Sequence, residues 1–166
     1  LDDLKIKEAS SDPLLVTSAE VADNAAMEYA EQLNPLYQTF ASNIASGIRS
    51  RKNSTGIYAH AMAVIMKAPD NDLINGLSVD KIFAAASQRE PRILLGNLKS
   101  ILGKIESLQI DEDGRGLVLS YNPDKGISVV DRQLLLYRKF ATVNWPWESI
   151  ITQVQTTDAY QPDELF

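Results

Sequence analysis

Six basic side chains, Arg89, Arg92, Lys99, Lys104, Arg115 and Lys125, fall in one stretch of this chain with Asn97 among them. Lysine and arginine clustered this way can neutralise phosphates and release their counterions, which makes binding strongly salt-dependent. Asn97 is the best-placed side chain for reading a base edge. A single carboxamide gives little direct readout of sequence, so a nucleic acid held here is recognised mainly through its backbone. The same residues also read as an ordinary solvated surface with a modest excess of positive charge.

Other chemistry is poorly supplied. Cysteine is absent, which removes disulfides, thiolate nucleophiles and Cys-based zinc sites together. His60 is the single histidine, and a lone histidine on a partly apolar helix reads as structural. Asp111, Glu112 and Asp113 cluster oxygens but lack the Asp-x-Asp-x-Asp-Gly spacing of a calcium loop, and Asp70 and Asp72 read the same way. No Gly-x-x-x-x-Gly-Lys-Ser/Thr phosphate loop is present; Gly96 to Gly103 lies within an apolar helical pattern instead. The expectation is a non-catalytic chain without cofactor or metal.

The net charge of −6 hides an asymmetry. Residues 1–48 carry two basic and eight acidic residues, residues 49–140 carry 14 and 10, and residues 141–166 carry none and four. The middle block is therefore basic between acidic flanks, a mild pointer to nucleic acid. The flanks would repel a polyanion unless they fold away from it. No run of about 18 apolar residues is present, so no membrane span is expected. No signal peptide is visible, and zero cysteine fits a reducing cytoplasm. A first residue of Leu1 rather than Met reads as a piece of a longer protein.

The positioning elements follow from spacing. Residues 1–13 read as an arm or linker. Thr17-Ser18-Ala19-Glu20 reads as a capping box, followed by Val21, Ala25, Tyr29 and Leu33 on one helical face. Asn34-Pro35 reads as the end of that helix and the start of a second, with Leu36, Phe40, Ile44 and Ile48 inward. A basic break at Arg49–Ser54 separates this helical leader, residues 14–52, from residues 53–154. There the spacing predicts a helix over 55–67 ended by Pro69, a second over 79–88 capped by Ser78, and a third from Glu90-Pro91 to about Ser107. The third presents Arg92, Gly96, Lys99, Ser100, Gly103 and Lys104 outward. Its two glycines each cost about 1 kcal/mol against alanine, which close packing by another helix or by a partner would offset. Residues 117–121 alternate as a strand, Asn122-Pro123-Asp124-Lys125-Gly126 supplies a turn, and residues 127–130 return. Asp131 caps a last helix to Phe140, Trp145-Pro146-Trp147 closes the core from outside, and residues 155–166 form a polar tail.

Three helices followed by a two-stranded hairpin is the order of a winged helix-turn-helix. The expected fold is thus mainly α with a small β element (α+β): a two-helix leader and a winged helix whose third helix and wing carry the basic residues. Arg115-Gly116-Leu117-Val118-Leu119 and Val129–Tyr137 resemble the Arg-Gly step and the closing strand and helix in C-terminal winged-helix domains of prokaryotic AAA/STAND-type ATPases. The acidic leader resembles the helical lid that precedes such domains. That resemblance implies an accessory binding module of a larger ATPase or regulator, contacting DNA or a partner protein. The competing expectation is a self-associating assembly domain that uses its apolar helix faces, Trp145 and Trp147 for protein–protein contacts.

Overall fold

The helix Ile57–Lys67 is buried on nearly every side, with Tyr58, Ala59, His60, Met62, Ala63 and Met66 as enclosed as Ile57, Ala61 and Ile65. A helix this apolar around its whole circumference has to be surrounded, and the other elements are arranged about it. The computed structural model describes residues 19–48, 56–110 and 116–156. In chain order these form α1 (Ala19–Ile48), α2 (Ile57–Lys67), α3 (Asp70–Asn75), α4 (Val79–Arg89), α5 (Leu95–Leu102), α6 (Ile105–Gln109), β1 (Leu119–Asn122), β2 (Gly126–Val129), α7 (Gln133–Phe140) and α8 (Pro146–Thr156). The structure is therefore mainly helical with one small antiparallel sheet. α2 packs against α4, α8, α1 and α5, and α1 runs along α7 and α6.

The leader is one helix rather than two, because Pro35 lies inside α1. Proline there removes a backbone donor, a cost that tertiary contacts on either side offset. The Asn34 carboxamide oxygen accepts from the Tyr137 hydroxyl at 2.7 Å, and the Tyr37 hydroxyl donates to Asp131 at 2.8 Å. The Tyr37 and Tyr137 rings meet at 4.5 Å, and Phe40 and Ile44 continue into the core. Before Ala30 most of α1 is exposed. Thr17 and Ser18 of the expected capping box, and the basic break at 49–54, lie outside the described residues.

The third helix is also revised. Pro91 and Arg92 form a turn closed by the Ile93 N–H on the Glu90 carbonyl, and the helix begins only at Leu95. It pauses at Gly103 and Lys104, where the Lys104 N–H reaches the Ile101 carbonyl, and resumes as α6. Glycine holds helical geometry weakly, so Gly103 is where the path can break. Ser78 caps α4 as its type suggests, accepting from the Lys81 N–H at 3.3 Å.

β1 and β2 pair from Leu119↔Val129 to Asn122↔Gly126. A third piece of chain joins them: Leu77, between α3 and α4, forms a bridge with Ile127. The turn is tight, with the Asn122 side-chain oxygen accepting from the Asp124 and Lys125 N–H groups. Gly126 has φ +88°, the left-handed conformation that glycine adopts without strain. After the hairpin, the Asp131 carboxylate accepts from the Gln133 N–H at the start of α7.

Trp145-Pro146-Trp147 does not merely close the core from outside. Pro146 is the first residue of α8, a position that suits its fixed φ, and Trp147 is fully buried. Trp145 stacks on Trp147 at 4.9 Å and meets Phe40 and Tyr137 edge-on. Residues 155 and 156 belong to α8, and the remainder of the expected tail lies outside the described residues.

Candidate nucleic-acid interface

The solvent face of α5 is small and basic. Leu98 and Leu102 turn inward, which leaves Gly96, Lys99, Ser100 and Gly103 exposed at helical spacing, with exposed Lys104 next. A methyl group added at Gly96 would meet nothing within 4 Å. Packing against another helix therefore does not account for that glycine. At Gly103 the nearest atoms are the Ser100 and Lys99 carbonyl oxygens, at 3.5 and 3.6 Å, ordinary contact distances. The face is open at Gly96, where a partner can approach the backbone closely.

Arg92 belongs to a different arrangement. Its guanidinium donates twice to Glu90, from Nε to Oε1 at 2.6 Å and from Nη2 to Oε2 at 2.7 Å, and its backbone N–H also reaches Oε1. The Arg92 hydrogen bonds hold the Glu90 carboxyl below the usual carboxylate range, although burial pushes it the other way. A bidentate, largely enclosed pair is a substantial interaction and neutralises the arginine's charge. Sequence carried a signal for it. Proline between Glu90 and Arg92 pre-sets the turn that brings the two side chains together.

The other candidates are scattered over neighbouring elements. Arg89 is exposed in the last turn of α4, and Asn97 is half-buried on α5 and already engaged within the protein. Lys125 is exposed in the hairpin turn, where its carbonyl oxygen lies against Gly76 at the end of α3. So short a turn offers little reach, and Asp124 beside Lys125 offsets its charge. Arg115 lies outside the described residues.

Two polar side chains, buried Gln109 and half-buried Glu106, fix α6 to the hairpin, and neither was legible as functional. The Gln109 amide nitrogen donates to the Leu119 carbonyl at 2.9 Å, and its oxygen accepts from the Val118 and Leu119 N–H groups at 3.0 and 2.8 Å. Its second N–H goes to the Ile105 carbonyl. A glutamine thus satisfies backbone that a neighbouring strand would otherwise pair. Glu106 accepts from the Tyr121 N–H at 2.8 Å and the Ser120 hydroxyl at 2.7 Å, and these bonds lower its pKa. α6 and the hairpin are therefore held as one unit, which α5 joins through Gly103 and Lys104.

Of the acidic residues considered as metal ligands, Asp111, Glu112 and Asp113 lie outside the described residues, and Asp70 and Asp72 have structural partners. Arg138 bonds Asp70, and Lys81 bonds Asp72 at 3.2 Å. Among the described residues no group of three or more His, Cys, Asp or Glu side chains is placed to hold a metal ion. None of the described helices is long and apolar enough to cross a membrane. No family model, curated protein or solved structure matches the chain.

Proposed function

We propose that this chain is a non-catalytic winged-helix module that binds the backbone of duplex nucleic acid through the outward face of α5. The observation that carries the reading is the open, cationic α5 surface, where Gly96 and Gly103 clear the way and Lys99 and Lys104 supply charge. Phosphate oxygens need this combination of close approach and positive potential. The bridge between Leu77 and Ile127 supports the winged-helix order, since it ties the chain before α4 to the hairpin that follows α6. With Asn97 engaged, binding is insensitive to base sequence. Arg89 supplies a further exposed cation at the end of α4, whereas Arg92 contributes only when Glu90 releases it. In this reading the module serves a larger ATPase or regulator, as the resemblance implies.

Protein–protein contact is the second reading, favoured by Leu94 and Ile110, exposed by 45% and 60% at the two ends of the α5–α6 unit. Trp147 does not serve it, being buried against the core. The double variant Lys99→Glu with Lys104→Glu separates the two. Loss of binding to a random duplex supports the first reading, and unchanged affinity removes it.

A further inference from the structure

His60 is 1% exposed, and neither of its ring nitrogens has a hydrogen-bond partner among the described residues. An imidazole enclosed in this way pays for its desolvation without recovering a bond, and the fold keeps it at the centre of its most buried helix. Three charged groups act on it through space: the Glu90 carboxylate, and the Arg89 and Arg92 guanidiniums. Burial is the largest influence and lowers the ring's pKa from its ordinary value; Glu90 favours a proton on the ring, and both arginines act with burial against it. Glu90 is itself 8% exposed and is the carboxylate that grips Arg92 with two short hydrogen bonds.

We propose that His60 operates a proton-driven latch: on taking up a proton it draws the Glu90 carboxylate toward its ring and loosens Glu90's hold on the Arg92 guanidinium. The proton comes from solvent and no covalent bond changes. The chemistry is a competition between two cations for one enclosed carboxylate. Protonated imidazole has two N–H donors, so the step that charges the ring also gives it bonds to make. Glu90 is the anion that acts on it, and a low-dielectric setting strengthens the attraction. Arg92 follows Glu90 by two residues and precedes α5, so loosening the pair changes the charge at the entry to α5. Only the bearing of that charge on a duplex rests on the nucleic-acid reading; the latch does not.

The chain holds one histidine, so its ring signal in a nuclear magnetic resonance titration is unambiguous. The experiment follows the His60 ring and the Arg92 Nε–H of the free protein from pH 7.5 downward, with Arg92→Lys identifying the arginine signal. The expected result is a His60 midpoint below 6.5 in the folded state, with the Arg92 resonance moving at the same midpoint. In Glu90→Gln the Arg92 response disappears. An Arg92 signal that stays fixed while His60 titrates overturns the latch, as does unfolding before His60 takes a proton. No nucleic acid is present, so a failure here is distinct from a failure to bind duplex.

Discussion

Leu77 and Ile127 exchange two backbone hydrogen bonds, the Leu77 N–H to the Ile127 carbonyl at 2.7 Å and the Ile127 N–H to the Leu77 carbonyl at 2.9 Å. Both side chains are buried, so one bridge ties the segment before α4 to the hairpin after α6. The approach is so close that an added Cβ at Gly126 would lie 1.9 Å from the Leu77 carbonyl oxygen.

Gly126→Ala is therefore expected to be severe. It combines that overlap with a φ of +88° that alanine rarely adopts. A loss of at least about 2 kcal/mol in urea unfolding is expected. A change below about 0.5 kcal/mol would mean that the bridge is not as close as described.

Gly96→Ala is the contrasting case. Open space surrounds the new methyl group, and alanine is the better helix former, so stability rises by up to about 1 kcal/mol. Duplex affinity falls, because the methyl group stands on the approach surface. Stabilisation with undiminished binding would move the contact away from α5.

Gln109→Met keeps the volume but removes the amide. The Val118 and Leu119 N–H groups and the Leu119 carbonyl then lose their partner while buried. Unsatisfied buried groups cost about 1–3 kcal/mol each, less where the hairpin relaxes, so a total loss of about 2–4 kcal/mol is expected on denaturation. Hydrogen exchange at Val118 and Leu119 should accelerate with it. Unaltered exchange there would contradict the assignment.

Burial lowers the His60 pKa from 6.5, so over the window below that value the unfolded chain binds a proton that the folded chain refuses. Stability is thus complete above 6.5 and declines as pH falls from there toward the folded-state pKa, by at most about 1.36 kcal/mol per pH unit for one proton. His60→Met should flatten thermal stability across this window. The lowered pKa of Glu90 acts later, its contribution being present above 4.5 and lost as pH falls through its folded value. A decline below 6.5 that persists in His60→Met would assign it to other groups.

Much of the scaffold was legible where local chemistry and tertiary packing agree. Pro69 ends α2, Ser78 caps α4, and Gly126 closes the hairpin, each for a reason confined to a few residues. What sequence missed depends on distant partners. Pro35 stays inside a helix because Asn34 is held by Tyr137 on α7 and Tyr37 by Asp131 just before it. Trp147 reads as a cover but is buried because α8 packs on α2. At the candidate interface, Lys99 and Lys104 were recognisable from helical spacing. The withdrawal of Arg92 into a pair with Glu90 had its signal in Pro91, which the long helical pattern over residues 90–107 overrode; the chain there is a turn followed by two short helices.

The most direct test is fluorescence anisotropy of a labelled random duplex titrated with the protein at ~50 and ~200 mM salt. With Arg89, Lys99 and Lys104 each neutralising a phosphate, affinity should fall by roughly 40-fold between the two, a log–log slope of about −2.7. Absence of binding at the lower salt, or binding indifferent to salt, would contradict a phosphate-reading α5 face and leave protein contact as its role.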